Sequence, residues 1–245
     1  MRFIALIFAA LISAFAFSGE ANATACTAGC SQFATANAFS GTTVSTTLTG
    51  VVANHNIRVF YCADVAAASG LTVGGNAGTL LSTTATGGGK TCGVGYYASS
   101  PSGSVNVVLT IGGTCGNCTM LVEEWPNDAT GLSNDGQNAQ YVNSGGTATN
   151  VPCNGGFTTT NANDNLEAAF YQPQNVTPTN PSGFSTSVSS TPWFSAYEVV
   201  AATSTYNPTY VTGLSSFDNT NVCVAFKQPG GAAVLHTLTT LGAGK

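Results

Sequence analysis

Carboxylates are the first candidates for chemistry, because paired acids hydrolyse glycosidic bonds. Glu123 and Glu124 are adjacent, so on a strand their side chains point to opposite faces. Only one of them can share a cleft with a distant acid such as Glu167 or Glu198, at the separation of about 5 to 10 Å that glycoside hydrolases use. The competing and favoured interpretation is that these acids lie in solvent or bond to backbone amides.

Histidine, the usual general base, is nearly absent. His55 lies beside an Asn-rich turn and His236 lies in the C-terminal tail. The chain has no Gly-x-Ser-x-Gly elbow and no phosphate-binding or cofactor motif. Such a sequence disfavours a hydrolase triad, a histidine metal site and nucleotide-dependent chemistry. We therefore predict no catalytic residues and a non-enzymatic role.

Aromatic and acidic residues near strand ends and in polar segments are better suited to binding. Aromatic rings can stack on the apolar faces of sugars while amides and acids bond the hydroxyl groups, a mixture that suits a neutral glycan. The acidic segment with Asp128, Asn134, Asp135 and Asn138 is the best place for calcium, although its spacing is not that of an EF-hand. Ordinary packing and solvated turns are the alternatives. The candidate ligand-binding residues are Trp125, Trp193, Tyr206, Tyr210, Asp128 and Asp135.

The cysteines indicate a disulfide framework. Eight cysteines allow 105 pairings, which sequence alone cannot separate. Local spacing favours Cys26–Cys30 and Cys115–Cys118, and the simplest completion is Cys62–Cys92 with Cys153–Cys223. The alternatives for Cys115-Gly-Asn-Cys118 are a zinc site shared with Cys26 and Cys30, or a redox motif. A small structural loop closure is favoured.

Charge is scarce, since only 6% of residues are charged and the formal net charge is −5. Beyond Arg2, the cations are Arg58, Lys90, Lys227 and Lys245. So few scattered cations argue against binding to nucleic acid or to an anionic membrane surface. The hydrophobic content of 43% argues against disorder.

The N-terminus predicts export. Met1-Arg2 is followed by an apolar run from Phe3 to Phe17, and Ala21-Asn22-Ala23 fits a signal-peptidase site. We expect residues 1–23 to be a cleaved signal peptide, and the mature chain to be secreted or held at the cell surface. A membrane anchor would need a longer run, and a lipoprotein signal ending at Cys26 lacks the usual leucine.

Short β-branched runs separated by Gly, Asn, Ser and Pro clusters predict an all-β fold. We interpret it as one antiparallel two-sheet sandwich, jelly-roll-like, over residues 24–227, with 228–245 as a tail that holds at most one strand, Ala233 to Leu238. A parallel β-helix is the alternative, but no fixed repeat is present. The runs are 42–52, 57–62, 80–86, 92–98, 104–111, 119–125, 166–171, 193–200 and 221–226.

Three further expectations concern the connections. The runs 104–111 and 119–125 resemble a hairpin around a cysteine turn, and 63–69 is the one place for a helical turn or two. The stretches 127–165 and 173–192 are polar or Pro-rich, so we expect long surface loops, which are often functional.

The order of several motifs resembles a group of secreted bacterial β-sandwich domains. These motifs are YYA, SVNVVLTI, LVEEWPNDATGL, NLEAAFY, WFSAYEVV and NVCVAFK, and the resemblance covers roughly residues 42–227. It implies a concanavalin-like or jelly-roll sandwich, of the kind found on surface or extracellular proteins. It implies no established catalytic residues, and the cysteines are not part of the pattern.

Three functions remain open. The first is a non-enzymatic extracellular β-sandwich with a surface, structural or binding role, and the second is a carbohydrate-binding module or lectin. The third is a secreted glycan-active hydrolase that uses Glu124 or Glu198. The ligand, the oligomeric state and any calcium requirement are not determined by the sequence.

Overall fold

The computed structural model of the chain describes residues 23–126, 133–143, 150–174, 176–213 and 218–227. Within these residues all regular secondary structure is strand, and none forms a helix that could cross a membrane. The predicted signal peptide, apart from Ala23, and the predicted tail lie outside the described residues. The strands are β1 Thr24–Ala25, β2 Gln32–Ala38, β3 Thr43–Val51, β4 Asn56–Ala63, β5 Ala68–Val73, β6 Asn76–Ala77, β7 Thr79–Gly87, β8 Lys90–Tyr97, β9 Gly103–Ile111, β10 Cys118–Trp125, β11 Ser133–Asn143, β12 Asn150–Val151, β13 Phe157–Thr158, β14 Asn165–Tyr171, β15 Ser185–Ser190, β16 Trp193–Val199, β17 Thr205–Tyr206, β18 Tyr210–Val211 and β19 Asp218–Lys227.

Three antiparallel sheets of four to six strands make up the described part of the chain. The four-stranded outer sheet has the order β3-β9-β5-β6, the six-stranded middle sheet β1-β2-β10-β4-β8-β7, and the five-stranded sheet β11-β19-β14-β16-β15. Two short pairs, β12-β18 and β13-β17, complete the structure. The all-β prediction is confirmed, whereas a two-sheet jelly roll is not.

The middle sheet is buried on both faces, which explains its sequence. Every residue of β4 and of β10 is buried. The continuous apolar runs within them, residues 59–63 and 120–122, are typical of strands covered on both faces. On one face, side chains such as Val59 and Val122 meet Val107 of the four-stranded sheet. On the other face, Phe60 and Leu121 meet residues of the five-stranded sheet.

A third apolar cluster covers the outer face of the five-stranded sheet. Leu166, Ala168 and Phe170 of β14 point into it, and Val151 and Tyr210 of the short strands close it from outside. The segments that carry β12, β13, β17 and β18 therefore form an additional layer over this sheet.

The predicted hairpin between residues 104–111 and 119–125 is wrong. β9 pairs with β3 and β5, whereas β10 pairs with β2 and β4 in the middle sheet. The burial patterns explain the separation. β9 alternates between buried and exposed positions and suits an outer sheet, while β10 is buried throughout and suits a central strand.

Parts of the segments expected to be loops are strands. β11 lies in the first polar stretch and β15 in the second. β11 pairs along its length with β19, and β15 pairs with β16. The segment 63–69, where a helical turn was expected, includes the start of β5 instead.

All eight cysteines are paired, and the pairs are those that the sequence favoured. Cys26–Cys30 and Cys115–Cys118 close small loops. Cys62–Cys92 joins directly opposed residues of β4 and β8. Cys153–Cys223 ties the additional layer to β19, which lies between β11 and β14 in the five-stranded sheet.

Candidate functional site

An open pocket of about 690 Å³ lies on the outer side of the five-stranded sheet. Glu198 at the end of β16 points into it, on the face that also carries Phe194 and Ala196. The remaining walls come from Asn150 of β12 and from the segments 179–184 and 206–211. The pocket is therefore built by the additional layer and by one end of the sheet beneath it.

The lining combines aromatic rings with amides and one acid. Phe184 and Tyr206 are partly exposed in it. Amide side chains are supplied by Asn150, Asn180 and Asn207, and Glu198 is the one charged residue among the described residues of the lining. Rings that pack against apolar faces, next to groups that donate and accept hydrogen bonds, suit a polyhydroxylated ligand.

Backbone pairing holds the walls in place. Asn150 is opposite Val211 in the β12-β18 pair. The Thr179 N–H donates to the Val211 carbonyl at 2.8 Å, and the Val211 N–H donates back at 3.1 Å. Beneath them, the buried Tyr210 stacks on Phe170 with ring centroids 4.9 Å apart and donates its hydroxyl to the Ala168 carbonyl at 3.0 Å. The pocket floor is thus anchored on β14.

Two side chains of the lining are fixed by hydrogen bonds. The Tyr206 hydroxyl donates to the Ala202 carbonyl at 2.7 Å. Burial, together with the charges of Glu198 and Asp164, raises the pKa of Tyr206 above its ordinary value, so the phenol is neutral. Asn207 accepts the backbone N–H of Cys153 at 2.8 Å through its side-chain oxygen. The ring and the amide are therefore preorganised.

A glycine turn brings backbone close to the acid of the pocket. Gly183 has φ of 88°, a conformation that other residues rarely adopt. A Cβ atom there would lie 3.3 Å from Glu198 Oε1. The turn between Pro181 and Phe184 is closed by a bond from the Phe184 N–H to the Pro181 carbonyl at 3.1 Å.

Three of the predicted aromatic ligands are core residues instead. Trp125, Trp193 and Tyr210 are 3%, 0% and 0% exposed, so none can stack on a bound sugar. The Trp193 indole N–H donates to Thr119 Oγ1 at 3.1 Å. Trp125 lies beneath the Cys26–Cys30 loop, where a Cβ on Gly29 would be 2.7 Å from its ring. Tyr206 is the predicted aromatic residue that does line the pocket.

The two acids predicted as ligands, Asp128 and Asp135, differ in whether the structure describes them. Asp128 lies outside the described residues. Asp135 accepts the backbone N–H groups of Thr160 and Asn161 at 2.6 and 2.9 Å, and Lys227 Nζ lies 3.0 Å from its Oδ1. Asp135 is therefore bonded to N–H donors, a lysine cation and the Asp164 side chain, and it lies away from the pocket lining.

A close pair of carboxyl groups is present, but it is sealed inside the protein. Glu123 and Glu167 share a hydrogen bond between the middle and five-stranded sheets, and both are 0% exposed. Glu167 accepts Arg58 Nη1 at 2.9 Å, while the Trp125 indole N–H donates to Glu123 Oε2 at 2.7 Å. The Ser195 hydroxyl donates to Glu123 Oε1.

Aromatic rings enclose the arginine of this cluster. The Arg58 guanidinium lies 4.1 Å from the centroid of Trp125 and 4.3 Å from that of Phe226, which is close enough for cation–π attraction. Burial, the Glu123 charge and the bond with Glu123 raise the pKa of Glu167 well above its ordinary value, although Arg58 opposes the shift. The three charged side chains of this cluster are 0% exposed, so they do not border an open pocket.

Glu124 faces the opposite side of β10, as adjacent strand residues must. It is 1% exposed and accepts Gln32 Nε2 at 2.5 Å and the Val52 N–H at 2.8 Å. His55 Nδ1 lies 2.7 Å from its Oε1. Glu124 and Glu198 therefore belong to different sites.

Most of the pocket lining is not recognisable from the amino-acid sequence. Phe184, Asn180 and Asn150 lie in stretches that had been interpreted as polar loops, and their proximity depends on the β12-β18 pairing. The available signal was the length of these stretches, since long connections often carry function. Nothing in their spacing indicated which residues would meet.

No family model matches the chain, and comparisons with curated proteins and with solved structures give no significant match.

Proposed function

We propose that this protein is an exported, non-enzymatic β-sandwich protein that binds a neutral glycan in the Tyr206–Glu198 pocket. The pocket carries this proposal, because it places two rings, three amides and one carboxylate around a single open volume. Neutral sugars present both apolar faces and hydroxyl groups, so they match such a lining.

The charge of the lining supports a neutral ligand over an anionic one. Glu198 is the charged residue among the described residues there, and it would repel sulfated or carboxylated sugars. It also lacks a second acid in the described lining, whereas glycoside hydrolysis uses a pair. Binding is therefore a better match than hydrolysis.

Secretion is part of the same proposal. It is supported by the signal-like sequence at residues 1–23 and by the four disulfides, which persist in oxidising compartments. The resemblance to concanavalin-like and jelly-roll domains is consistent with an extracellular binding role, and it remains a proposal.

Affinity electrophoresis of the purified mature protein through gels containing neutral polysaccharides tests the binding function, with and without calcium. We expect at least one polysaccharide to retard the wild-type protein. Tyr206→Ala should weaken this interaction by about fivefold, because stacking of an aromatic ring contributes on the order of 1 kcal/mol.

Phe39→Ala is the matched control, since Phe39 is a surface aromatic residue that is 71% exposed and lies outside the pocket lining. It should bind like the wild type. Equal losses in both variants, or no retardation by any polysaccharide in either buffer, would reject the glycan proposal.

A further inference from the structure

We propose that Lys227 and Asp135 form an intramolecular amide bond, with the carboxyl group of Asp164 relaying the protons. The bond would join β19 covalently to β11, the edge strand beside it. It is a modification site separate from the pocket, and it does not depend on glycan binding.

A β-bulge points Asp135 toward its partners. Asn134 is opposite Phe226 and Gly136 is opposite Ala225, so Asp135 is the extra residue between them. Bulges redirect side chains in this way. The Asp135 side chain is 3% exposed, and Lys227 Nζ lies 3.0 Å from its Oδ1. The amine is thus in contact with the carboxyl group that it would attack.

Two backbone amides are in position to stabilise a negative charge on Asp135. The N–H groups of Thr160 and Asn161 donate to the same oxygen, Oδ2, at 2.6 and 2.9 Å. The Thr160 hydroxyl donates to Oδ1 at 2.5 Å. Attack by an amine moves charge onto one carboxyl oxygen, and a pair of fixed N–H donors is the arrangement that lowers the energy of such an oxyanion.

Asp164 provides a proton beside the reacting carboxyl group. It is 0% exposed, and it shares a hydrogen bond with Asp135. Burial, this bond and the Asp135 charge raise the pKa of Asp164 to about 7, with Lys227 opposing the shift. Although burial acts against it, hydrogen bonds from Asp164, Thr160 and Asn161 hold the pKa of Asp135 below its usual range.

The reaction balances without any added reagent. A proton first passes from the Lys227 ammonium group to Oδ1 of Asp135, with which it is paired. The neutral Lys227 amine then attacks the Asp135 carboxyl carbon, and the carbonyl electron pair moves onto Oδ2. As the carbon–Oδ1 bond breaks, Asp164 gives its proton to the leaving oxygen and takes one from the nitrogen. Of the three ammonium hydrogens, one stays on the amide nitrogen and two leave with Oδ1 as water. Asp164 ends protonated, as it began.

Intact mass spectrometry of the folded mature protein is the primary test. We expect the wild type to be lighter by one water molecule than its sequence with four disulfides. Trypsin should also fail to cut after Lys227, because acylation removes the charge that the protease recognises. After reduction, the last fragment should therefore be 91–245, again lighter by one water, rather than 91–227.

Asp135-Gly136 could lose water in another way, by closing to a succinimide on its own backbone. Lys227→Arg separates the two reactions, since arginine retains the positive charge but does not form this amide. We expect the variant to have its full mass. A water loss that persists in Lys227→Arg, or that hydroxylamine reverses in the wild type, would assign the change to a succinimide and overturn the amide bond.

The variant Asp164→Asn tests the proton relay, because it replaces the carboxyl group by an amide while nearly keeping the shape of the side chain. Cross-linking should become slower by about 100-fold or more, the usual contribution of a positioned proton donor. An unchanged rate would reject the role of Asp164. Full, unaltered mass in the folded wild type would reject the whole proposal.

Discussion

The Arg58 cluster and the pocket use similar polar residues in opposite surroundings. The Arg58 cluster consists of Arg58, Glu123 and Glu167, whose polar groups are bonded to one another and enclosed by rings. In the pocket, Glu198, Tyr206 and Asn207 border open space instead. The difference shows that a charged residue in this charge-poor chain is no guide to a site, because burial decides whether it can meet a ligand.

Substitutions in the Arg58 cluster should affect mainly stability, whereas substitutions in the pocket should affect mainly binding. A buried ion pair constrains the interior strongly, because removal of one partner leaves an uncompensated charge. A pocket side chain can be exchanged at little cost in stability, because solvent replaces the lost contacts. Variants of the two regions should therefore differ in which measurement they affect.

The largest effect is expected from Arg58→Ala, which leaves the two buried acids without their cation. The free energy of unfolding should fall by about 3–5 kcal/mol, as measured by urea denaturation. Lys90→Ala is the control, because Lys90 is only half-buried and bonds the Asn117 carbonyl. The free energy of unfolding of Lys90→Ala should fall by about 1 kcal/mol or less. Equal costs would show that the Arg58 cluster is not a special stabilising unit.

Removal of single disulfides should give the next largest effect and should distinguish the regions by binding. The double variants Cys153→Ala/Cys223→Ala and Cys62→Ala/Cys92→Ala should each lose about 2–4 kcal/mol of stability. Only the first should weaken glycan binding, because the Cys153–Cys223 disulfide holds the segment whose Cys153 N–H donates to Asn207 of the pocket. Affinity electrophoresis of both folded variants checks this, and equal binding losses would contradict it.

Glu167→Gln should change the pH dependence of stability. Because the folded-state pKa of Glu167 is raised, the native state holds more protons than the unfolded state above the ordinary glutamate range. Wild-type stability should therefore fall as pH rises above about 4.5, by up to about 1.4 kcal/mol per pH unit. The slope should be smaller in Glu167→Gln than in the wild type. Parallel curves for wild type and Glu167→Gln would contradict the assignment.

The smallest stability effect should come from Glu198→Gln, which keeps the shape of the pocket side chain. Its free energy of unfolding should change by no more than about 0.5 kcal/mol. If Glu198 repels anionic sugars, the variant should bind a carboxylated polysaccharide more tightly than the wild type does. Affinity electrophoresis with neutral and carboxylated polysaccharides measures both, and unchanged discrimination would remove Glu198 from ligand selection.

Much of the strand pattern follows from residue type. The apolar runs of β4, β9 and β10 were predicted as strands, and the structure confirms them. β11 and β15 were missed because their sequences are polar. They become strands by pairing with β19 and β16, which is a property of the partner rather than of local propensity.

The site was less predictable than the fold. Tyr206 was a candidate from its residue type, but so were Trp125 and Tyr210, which the structure buries. Burial of an aromatic residue depends on the layers that cover it, here the Cys26–Cys30 loop for Trp125. The division into three large sheets rather than two, and the additional layer over the five-stranded sheet, depend on pairing between segments that are distant in sequence. Local sequence patterns do not encode such pairing.

The position of β2 in the middle sheet has a consequence for the order of folding. Its partners are β1 and, far along the chain, β10, with Ala38 opposite Cys118. β11 likewise pairs with β19, which is distant from it in the sequence. Pairings between such distant segments give a high contact order, and chains of this kind fold in roughly milliseconds to seconds. For the export proposed above, this delay would help the chain remain extended until its last strand has crossed the membrane.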